Sequence, residues 1–251
     1  MSDNKILGIT IPRESRQEVL EKIIKYISNP IGSIHILSIN PENVVIAQSN
    51  PLFKKIVETA QMKIIDGIGI VLAAQTLNIK AGERYPGVEL MQDMLKMASE
   101  RRLRVLLIGG SQDLALELSH CYNRDYPEAK FKGIQGIKNI KDVKSEEEKA
   151  IFSIVDRYKP HIVFVAFGSP DQELFIERHK RKFLNSIVMG VGGSFDFLSG
   201  KVKRAPLLMQ RLGLEWFFRL VSQPWRWKRQ LRLFEFILLV IKKNVKPILR
   251  P

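Results

Sequence analysis

The chain has 251 residues, of which 45% are hydrophobic and 26% are charged, a globular composition with room for one large α/β domain or two small ones. A single cysteine, Cys121, excludes an internal disulfide and a multi-cysteine metal site, and it fits a reducing compartment. The N-terminal residues lack the pattern of a signal peptide, and no apolar run is long enough to cross a bilayer. We therefore expect a globular protein without a leader or a membrane-spanning helix.

The positive charge is concentrated at the C-terminal end. The formal net charge is +14, and residues 201–251 hold thirteen Lys or Arg against two Glu, so this last fifth carries +11. The three tryptophans, Trp216, Trp225 and Trp227, also lie there. One interpretation is a solubilising surface. The concentration of cations together with tryptophan favours the other interpretation, a basic aromatic segment that meets an anionic partner.

The first 200 residues alternate between strand and helix patterns. Ser15 and Glu18 form a capping-box pattern at the start of the first helix. Apolar runs predict strands at 34–40, 63–66, 104–110, 130–137, 161–170 and 186–197. Helical spacing predicts helices at 19–27, 51–61, 87–100, 113–126, 145–158 and 172–183, with another beginning at 68. This alternation predicts an α/β fold, with a Rossmann-like, mainly parallel sheet and helices on both faces.

Ligands of such sheets bind beyond the carboxyl ends of the strands, so the residues after each predicted strand are candidate site residues. Small or polar residues occur at five strand ends: Ser38, Asn40 and Glu42; Asp66, Gly67 and Gly69; Gly109, Gly110 and Ser111; Gly168, Ser169 and Gln172; and Gly190, Gly192, Gly193, Ser194 and Asp196. Small residues let a ligand approach the backbone, and the N–H groups at the following helix N-termini suit phosphate. The pattern indicates a site for a phosphorylated ligand.

Several phosphate-binding fingerprints are absent from the chain. Segments 67–72 and 108–113 lack the third glycine of G-x-G-x-x-G, so NAD binding fits poorly. The absence of G-x-x-x-x-G-K-[ST] excludes a P-loop nucleotidase, and the absence of D-x-D leaves a metal-bridged nucleotide-sugar site without obvious ligands. The remaining interpretation is a nucleotide diphosphate held by helix N-termini and arginine, with no metal and no other cofactor.

Six blocks stand in the order "SINPENVVIAQSNP", "IIDGIGIV", "ERYPGVELMQDML", "FVAFGSPDQE", "MGVGGSFDFLSGKVKRAP" and "GLEWFFRLVSQPWRWKR". In sequence and in order they closely resemble the WecG/TagA/CpsF glycosyltransferases (glycosyltransferase family 26), from about Ile6 to about Arg232. The resemblance implies an inverting, metal-independent transfer from a UDP-sugar donor to a polyprenyl-diphosphate-linked acceptor. It also implies a place at the cytoplasmic face of the bacterial cell membrane, in the synthesis of teichoic-acid linkage units, common antigen, capsule or exopolysaccharide. The family uses several donors, of which we expect an N-acetylmannosamine type. Many members carry Thr and Pro where this chain has Ser38 and Ile39.

Asp66 is the candidate catalytic residue. An inverting transfer is one displacement, and it needs a base to take the proton of the acceptor hydroxyl. A carboxylate between a buried strand and a buried helix is expected to have a raised pKa. Gly67 and Gly69 are expected to leave room for the sugar. The alternative is that Asp66 only caps the helix that follows it.

Arg84 is the first candidate for the diphosphate of the leaving UDP, because guanidinium binds phosphate bidentately. The alternative is a surface arginine paired with Glu83 or Glu89.

The other predicted substrate-binding residues follow the strands; they are Ser38, Asn40, Gly109, Gly168, Gln172, Gly192 and Asp196. We expect the side chains of Ser38, Asn40 and Gln172 to hydrogen-bond the sugar or the diphosphate. Asp196 is expected to accept a hydrogen bond from a ribose hydroxyl or from the uracil N–H. The alternative for Gln172 and for Asp196 is an ordinary place in the first turn of a helix.

The C-terminal segment is predicted to be a basic, helical appendage, residues 201–251, on a catalytic domain of residues 1–200. Arg211, Glu215 and Arg219 fall at helical spacing and predict one amphipathic helix before Pro224. The segment after Pro224 flanks a short apolar run with tryptophan and cations, as helices in a membrane interface do. The resemblance makes Arg219, Arg226 and Arg229 candidates for a lid or for the lipid diphosphate. Core helices or a homo-oligomer contact are the alternatives.

Two other functions fit parts of the sequence. The basic, tryptophan-containing end could bind nucleic acid through phosphate charge and base stacking, but no nucleic-acid motif occurs and the end is amphipathic. We therefore expect no nucleic-acid partner. A different nucleotide-sugar enzyme, such as an epimerase, is the second rival, although the NAD-using kind needs the glycine fingerprint that the chain lacks. Donor, lipid-linked acceptor and an anionic membrane surface are the expected partners, with a homo-oligomer possible.

Overall fold

Strands and helices alternate along the chain in the computed structural model, which describes residues 4–111, 113–223 and 227–245. The strands are β1 (Lys5–Ile6), β2 (Ile9–Thr10), β3 (Ile34–Ile39), β4 (Met62–Ile65), β5 (Arg104–Gly109), β6 (Lys130–Ile134), β7 (Ile162–Ala166) and β8 (Ile187–Gly190). The helices are α1 (Arg16–Ser28), α2 (Pro41–Ser49), α3 (Pro51–Thr59), α4 (Ile68–Thr76), α5 (Gly87–Glu100), α6 (Leu114–Asp125), α7 (Ser145–Tyr158), α8 (Asp171–Arg178), α9 (Ser194–Leu198), α10 (Leu207–Arg211), α11 (Glu215–Ser222) and α12 (Trp227–Val245).

The strands from β3 to β8 form one parallel sheet in the order β4-β3-β8-β7-β5-β6, and β1 and β2 form a separate antiparallel pair. The register pairs Ile39 with Ile65, and Val165 with Gly190, at the carboxyl ends of neighbouring strands. The loops after β4, β3, β8 and β7 therefore open side by side at one edge of the sheet. The predicted α/β fold with a parallel sheet is confirmed.

Helices cover both faces of the sheet, as predicted. Side chains of a strand alternate between faces, and on β3 Ile36 belongs to one buried cluster whereas Leu37 and Ile39 belong to the opposite one. The first cluster packs α1, α5 and α6 on one face. On the other face, α2, α3 and α4 cover β3 and β4, while α7 and α8 cover β5, β7 and β8.

Three of the predicted strands run several residues too far, and the one predicted for 130–137 ends as β6 at Ile134. The prediction for 161–170 extends past β7, and the prediction for 186–197 extends past β8 into α9. Gly168 and Gly192 have φ angles of +81° and +50°, a left-handed conformation that ends extended pairing. Each glycine thus turns the chain away from the sheet at the edge where the site lies.

The C-terminal appendage differs from its prediction. The expected single helix before Pro224 is wrong, since α10 and α11 are separate helices joined at Gly213, which has a φ of +72°. An added Cβ at Gly213 would lie 2.6 Å from Cβ of Ile68, so only glycine fits this turn against α4. The last helix, α12, lies on α2 and α4 and buries Phe236 and Val240 in their core cluster. Packing on the body, one of the alternatives, therefore accounts for one face of α12.

The opposite face of α12 is apolar and exposed. Its stripe consists of Trp227, Leu231, Phe234, Leu238 and Ile241, each 50% to 58% exposed, at spacings of three and four residues. Among the described residues, no helix combines the length and the apolar character that a bilayer span requires.

Candidate active site

Two adjoining cavities lie at the carboxyl edge of the sheet, of about 230 Å³ and about 150 Å³. We call them the first and the second cavity, and together the cleft. Their shared wall includes Asn40, Glu42, Asp66, Glu215, Arg219 and Arg229. Ile68, Trp216 and Leu233 make the first cavity partly apolar. Polar groups that follow β3, β7 and β8 line the second cavity.

Asp66 follows β4 directly and lies on the wall that both cavities share. Its backbone N–H continues the sheet by donating to the carbonyl of Ile39 at 3.0 Å. Its carboxylate Oδ1 accepts a hydrogen bond from the backbone N–H of Gly87, the first residue of α5, at 3.1 Å. Gly67 is the N-cap of α4 and no side chain caps that helix. The alternative interpretation of Asp66 as the cap of α4 is therefore wrong.

The pKa of Asp66 is raised above its ordinary value. Burial is the largest cause, because the cleft removes water from the charged carboxylate, and Glu215 adds repulsion. The hydrogen bond from Gly87 and the charges of Arg219 and Arg84 act in the opposite direction without cancelling the effect of burial. The raised pKa makes the carboxylate a stronger base than an exposed aspartate.

Arg84 lines the first cavity, and its backbone forms an isolated parallel bridge with Ile65 at the end of β4. Its guanidinium donates to the backbone carbonyl of Gln210 in α10 at 2.9 Å. Glu89 instead pairs with Arg16 and Arg204. Arg84 therefore joins the body to the appendage and faces the cleft.

Arg219, on α11, also faces the cleft, held by two neighbours. Its Nη2 lies 2.8 Å from Oε1 of Glu215, one turn earlier, and its guanidinium stacks 4.3 Å from the ring centre of Phe197. Nη2 of Arg204 lies 3.4 Å from the other carboxylate oxygen of Glu215, Oε2. Burial alone would raise the pKa of Glu215, but the two arginines outweigh it and hold that pKa below its ordinary value.

Arg229, on α12, also borders the cleft. It lines both cavities and its guanidinium pairs with the carboxylate of Glu42. The third predicted lid residue, Arg226, lies outside the described residues.

Gln172 is buried and its side-chain amide binds other parts of the protein. Its Oε1 accepts from the backbone N–H groups of Gly168 at 3.2 Å and Gly192 at 2.9 Å, so it joins the loops after β7 and β8. Its Nε2 donates to Oε1 of Glu173 at 2.8 Å. Burial raises the pKa of Glu173, which the hydrogen bond from Gln172 offsets only in part. These contacts favour a role for Gln172 in shaping the second cavity.

Ser38 and Asn40 lie at the carboxyl end of β3. Ser38 lines the second cavity, and its Oγ would lie 3.3 Å from a Cβ added at Gly87. Asn40 lines both cavities and is the N-cap of α2, where its Oδ1 accepts from the N–H of Asn43 at 2.8 Å. Gly192 lines the second cavity as well.

Three predicted positions lie apart from the walls of the two cavities. Gly109 packs against Phe167, whose Cε1 would lie 2.8 Å from an added Cβ. Asp196 lies in the first turn of α9, and neither Asp196 nor Gly168 lines the cavities. Their predicted roles in binding stay predictions.

The two glycines after Asp66 line the first cavity and also pack against α2. An added Cβ at Gly67 would lie 2.8 Å from the ring of Pro41, and one at Gly69 would lie 2.7 Å from it. The missing side chains therefore let α4 pack closely against the start of α2, and the predicted room for a sugar beside these glycines stays a prediction.

Sequence reasoning did not single out Glu215, Gly87 or Trp216 as site residues, although all three line the cleft. A signal existed for Glu215, because it precedes Arg219 by one helical turn. Gly87 meets Asp66 across 21 positions of sequence, and no local pattern encodes that contact. Within the described residues, three or more His, Cys, Asp or Glu side chains do not gather as a metal site would require; the expected independence from metal stays a prediction.

A parallel α/β sheet with a perturbed carboxylate and several arginines at its carboxyl edge is typical of an enzyme that acts on a phosphorylated substrate. Comparisons with known proteins specify the class further. The model of the Glycosyl transferase WecG/TagA/CpsF family matches residues 4–249. The chain belongs to the WecG/TagA/CpsF family and is a glycosyltransferase.

Two bacterial relatives cover most of the chain. A protein of Bacillus subtilis (strain 168) is 34% identical over 227 residues, which are 90% of this chain and 85% of that protein. A protein of Staphylococcus aureus (strain MRSA252) is 29% identical over 229 residues, or 91% and 87%. Both carry the name N-acetylglucosaminyldiphosphoundecaprenol N-acetyl-beta-D-mannosaminyltransferase.

Proposed function

We propose that this glycosyltransferase moves an N-acetylmannosamine-type sugar from UDP to a polyprenyl-diphosphate-linked acceptor, with inversion and without a metal, in the synthesis of teichoic acid or another bacterial cell-surface polymer. The observation that carries the proposal is the place of Asp66, between two cavities and beside two arginines. The names of the relatives, which specify a mannosaminyl group and an N-acetylglucosaminyl-diphospho-lipid, support the choice of donor and acceptor.

Asp66 acts as the base in a single displacement. The acceptor hydroxyl oxygen forms a bond to the anomeric carbon while the bond from that carbon to the UDP oxygen breaks. The electron pair of the broken bond leaves with UDP, and the hydroxyl proton moves to Asp66. The hydrogen bond from Gly87 fixes the carboxylate, so that it needs little reorganisation when the substrates meet.

The arginines divide by their electrostatic effect on the base. The charges of Arg84 and Arg219 act on Asp66, and inversion places the leaving phosphate just across the anomeric carbon from the hydroxyl that the base deprotonates. We assign these two arginines to the leaving diphosphate, where developing charge gains most from a preorganised cation. Arg229 enters from α12 and is assigned to the diphosphate of the lipid-linked acceptor, which is further from the reacting hydroxyl.

The appendage, residues 201–251, is proposed to dock the catalytic domain, residues 1–200, on the cytoplasmic face of the cell membrane. The exposed stripe of α12 offers an apolar face for the lipid interface. Lys242 and Lys243 are exposed on the last turns of the same helix, and each cation near an acidic leaflet adds about 1 kcal/mol of attraction. Docking through α12 would bring the lipid-linked acceptor to the cleft that α11 and α12 border.

The release of UDP from UDP-N-acetylmannosamine tests the proposal. Purified enzyme is mixed with the donor, with and without N-acetylglucosaminyl-diphospho-polyprenol, and both UDP and the lipid product are measured. We expect UDP release only with the acceptor present, in equal amount to a disaccharide-linked lipid. Equal release without the acceptor, or no release with it, would refute the proposed reaction.

A further inference from the structure

One acid on α2 holds the start of α12. The guanidinium of Arg229 forms two parallel hydrogen bonds to Glu42, Nε to Oε1 at 2.9 Å and Nη2 to Oε2 at 2.9 Å. Arg232, nearly one turn later, donates from Nη1 to Oε1 of the same carboxylate at 2.5 Å. The Glu42 side chain is only 19% exposed. Bidentate hydrogen bonds between a guanidinium and a carboxylate are stronger and more directional than ordinary surface ion pairs.

The two arginines differ in what else they reach. Glu42 lies in the first turn of α2, and both Glu42 and Arg229 line the two cavities. Arg232 lines neither cavity. One arginine therefore faces the substrate space, whereas the other only holds the acid.

The apolar anchors of α12 lie further along the helix. Phe236 and Val240 enter the core cluster of α2 and α4, one and two turns after Arg232. Nearer the cleft, Leu233 lies 3.4 Å from a Cβ added at Gly69. The contact with Glu42 therefore ties the first turns of α12, which border the cavities, to α2.

We propose that Glu42 is a positioning residue that anchors the first turns of α12 over the cleft and so presents Arg229 to the acceptor's diphosphate. Because two arginines pair with Glu42, α12 can stay attached to α2 when the acceptor's diphosphate binds. Arg229 exchanges Glu42 for a phosphate, and Arg232 keeps the helix in place. The last step rests on the proposed function, whereas the anchoring itself does not.

Hydrogen exchange at the backbone amides of α12 tests the anchor without any activity. We expect Glu42→Gln and Arg232→Gln each to speed exchange in the first turns of α12 by about fivefold. The double variant should exchange no faster than Glu42→Gln, because Glu42→Gln already removes the partner of Arg232. Glu58→Gln, which changes an exposed acid on α3, is the matched control. Unchanged exchange in Glu42→Gln, or additive effects in the double variant, would overturn the anchor.

Transfer kinetics test the link from Glu42 to Arg229. We expect Glu42→Gln to raise the KM for the lipid-linked acceptor about tenfold while the affinity for UDP stays unchanged. Glu42→Asp keeps the charge and should recover part of the loss. If Glu42→Gln speeds hydrogen exchange in α12 but leaves the KM for the acceptor normal, the claim that Glu42 positions Arg229 is overturned. Wild-type enzyme without acceptor-dependent transfer would refute the proposed reaction instead, and the exchange measurement would still decide the anchor.

Discussion

The backbone N–H of Gly87 lies 3.1 Å from Oδ1 of Asp66 and donates a hydrogen bond to it. Gly87 begins α5, so the positive end of a 14-residue helix meets the carboxylate at the carboxyl edge of the sheet. This contact favours the ionised form, and burial favours the protonated form more strongly. The balance gives a fixed carboxylate with a raised pKa, which suits a base that must take a proton from a hydroxyl.

The pH dependence of kcat/KM is expected to report the surroundings of Asp66. The base works in its ionised form, so activity falls as the pH drops through the pKa of Asp66. Because that pKa is raised, this acidic limb of the pH profile should lie at a higher pH than an ordinary aspartate would give. Arg219 lowers the pKa of Asp66. We therefore expect Arg219→Gln to move the limb to higher pH, in addition to lowering turnover. A limb that stays in place or moves to lower pH would show that Asp66 is not the titrating base.

Arg84 is expected to contribute to UDP affinity. We predict that Arg84→Ala weakens UDP binding at least about tenfold, or 1.4 kcal/mol, in a calorimetric titration. Arg84→Lys is the control for charge, since it keeps a cation but cannot form the fork. The UDP affinity of Arg84→Lys should lie between those of wild type and Arg84→Ala. Unchanged UDP affinity in both variants would remove Arg84 from the diphosphate site.

The exposed stripe of α12 is expected to bind acidic liposomes. Replacing Phe234, Leu238 and Ile241 with serine should abolish flotation with such liposomes and leave the melting temperature nearly unchanged, because all three are exposed. Phe236→Ala is the opposite control. It opens a core cavity and should cost about 3 kcal/mol of stability, with flotation retained while the protein is folded. Equal flotation of the serine variant and wild type would contradict docking through this stripe.

His35 is expected to make stability depend on pH. It is buried in β3 with neither ring nitrogen hydrogen-bonded within the described residues, and burial lowers its pKa to about 4. The folded state therefore favours the neutral ring. The stability that the neutral ring contributes to the fold is fully present above the unfolded pKa of about 6.5. It is lost as the pH falls towards 4, by up to about 3 kcal/mol, because the unfolded chain binds the proton more tightly. The free energy of unfolding is measured with denaturant at several pH values. In His35→Leu it should no longer show this fall at acidic pH, whereas His120→Gln, a change at an exposed position, should keep the fall. The same pH dependence of the free energy of unfolding in wild type and His35→Leu would contradict this role of His35.

Local patterns predicted most of the sheet and of its helices. The capping box of Ser15 and Glu18 and the bounds of α7 were found as predicted, because periodicity and caps are local signals. The sequence interpretation missed α2, whose residues Val44 to Ala47 are all buried. A helix buried on every side shows no helical period. The break between α10 and α11 was also missed, since it depends on the approach of Gly213 to Ile68.

Strand ends were a sound guide to the cleft and a poor guide to individual roles. Asp66, Asn40 and Glu42 line it, because parallel strands end at one edge. The amide of Gln172 is instead committed to the loops after β7 and β8. The pairing of Glu42 with Arg229 joins residues 187 positions apart. Such contacts depend on how helices pack, and residue spacing along the chain does not specify them.

The turnover of Asp66→Asn tests the central claim most directly. Asparagine keeps an acceptor oxygen for the N–H of Gly87 and removes a charge that burial penalises, so the variant should fold, bind UDP normally and melt at or above the wild-type temperature. The measurement is acceptor-dependent UDP release under single-turnover conditions. We predict a rate at least about 10²-fold below wild type, the contribution expected of a general base. A rate near that of wild type, from folded Asp66→Asn enzyme that binds UDP, would contradict the account.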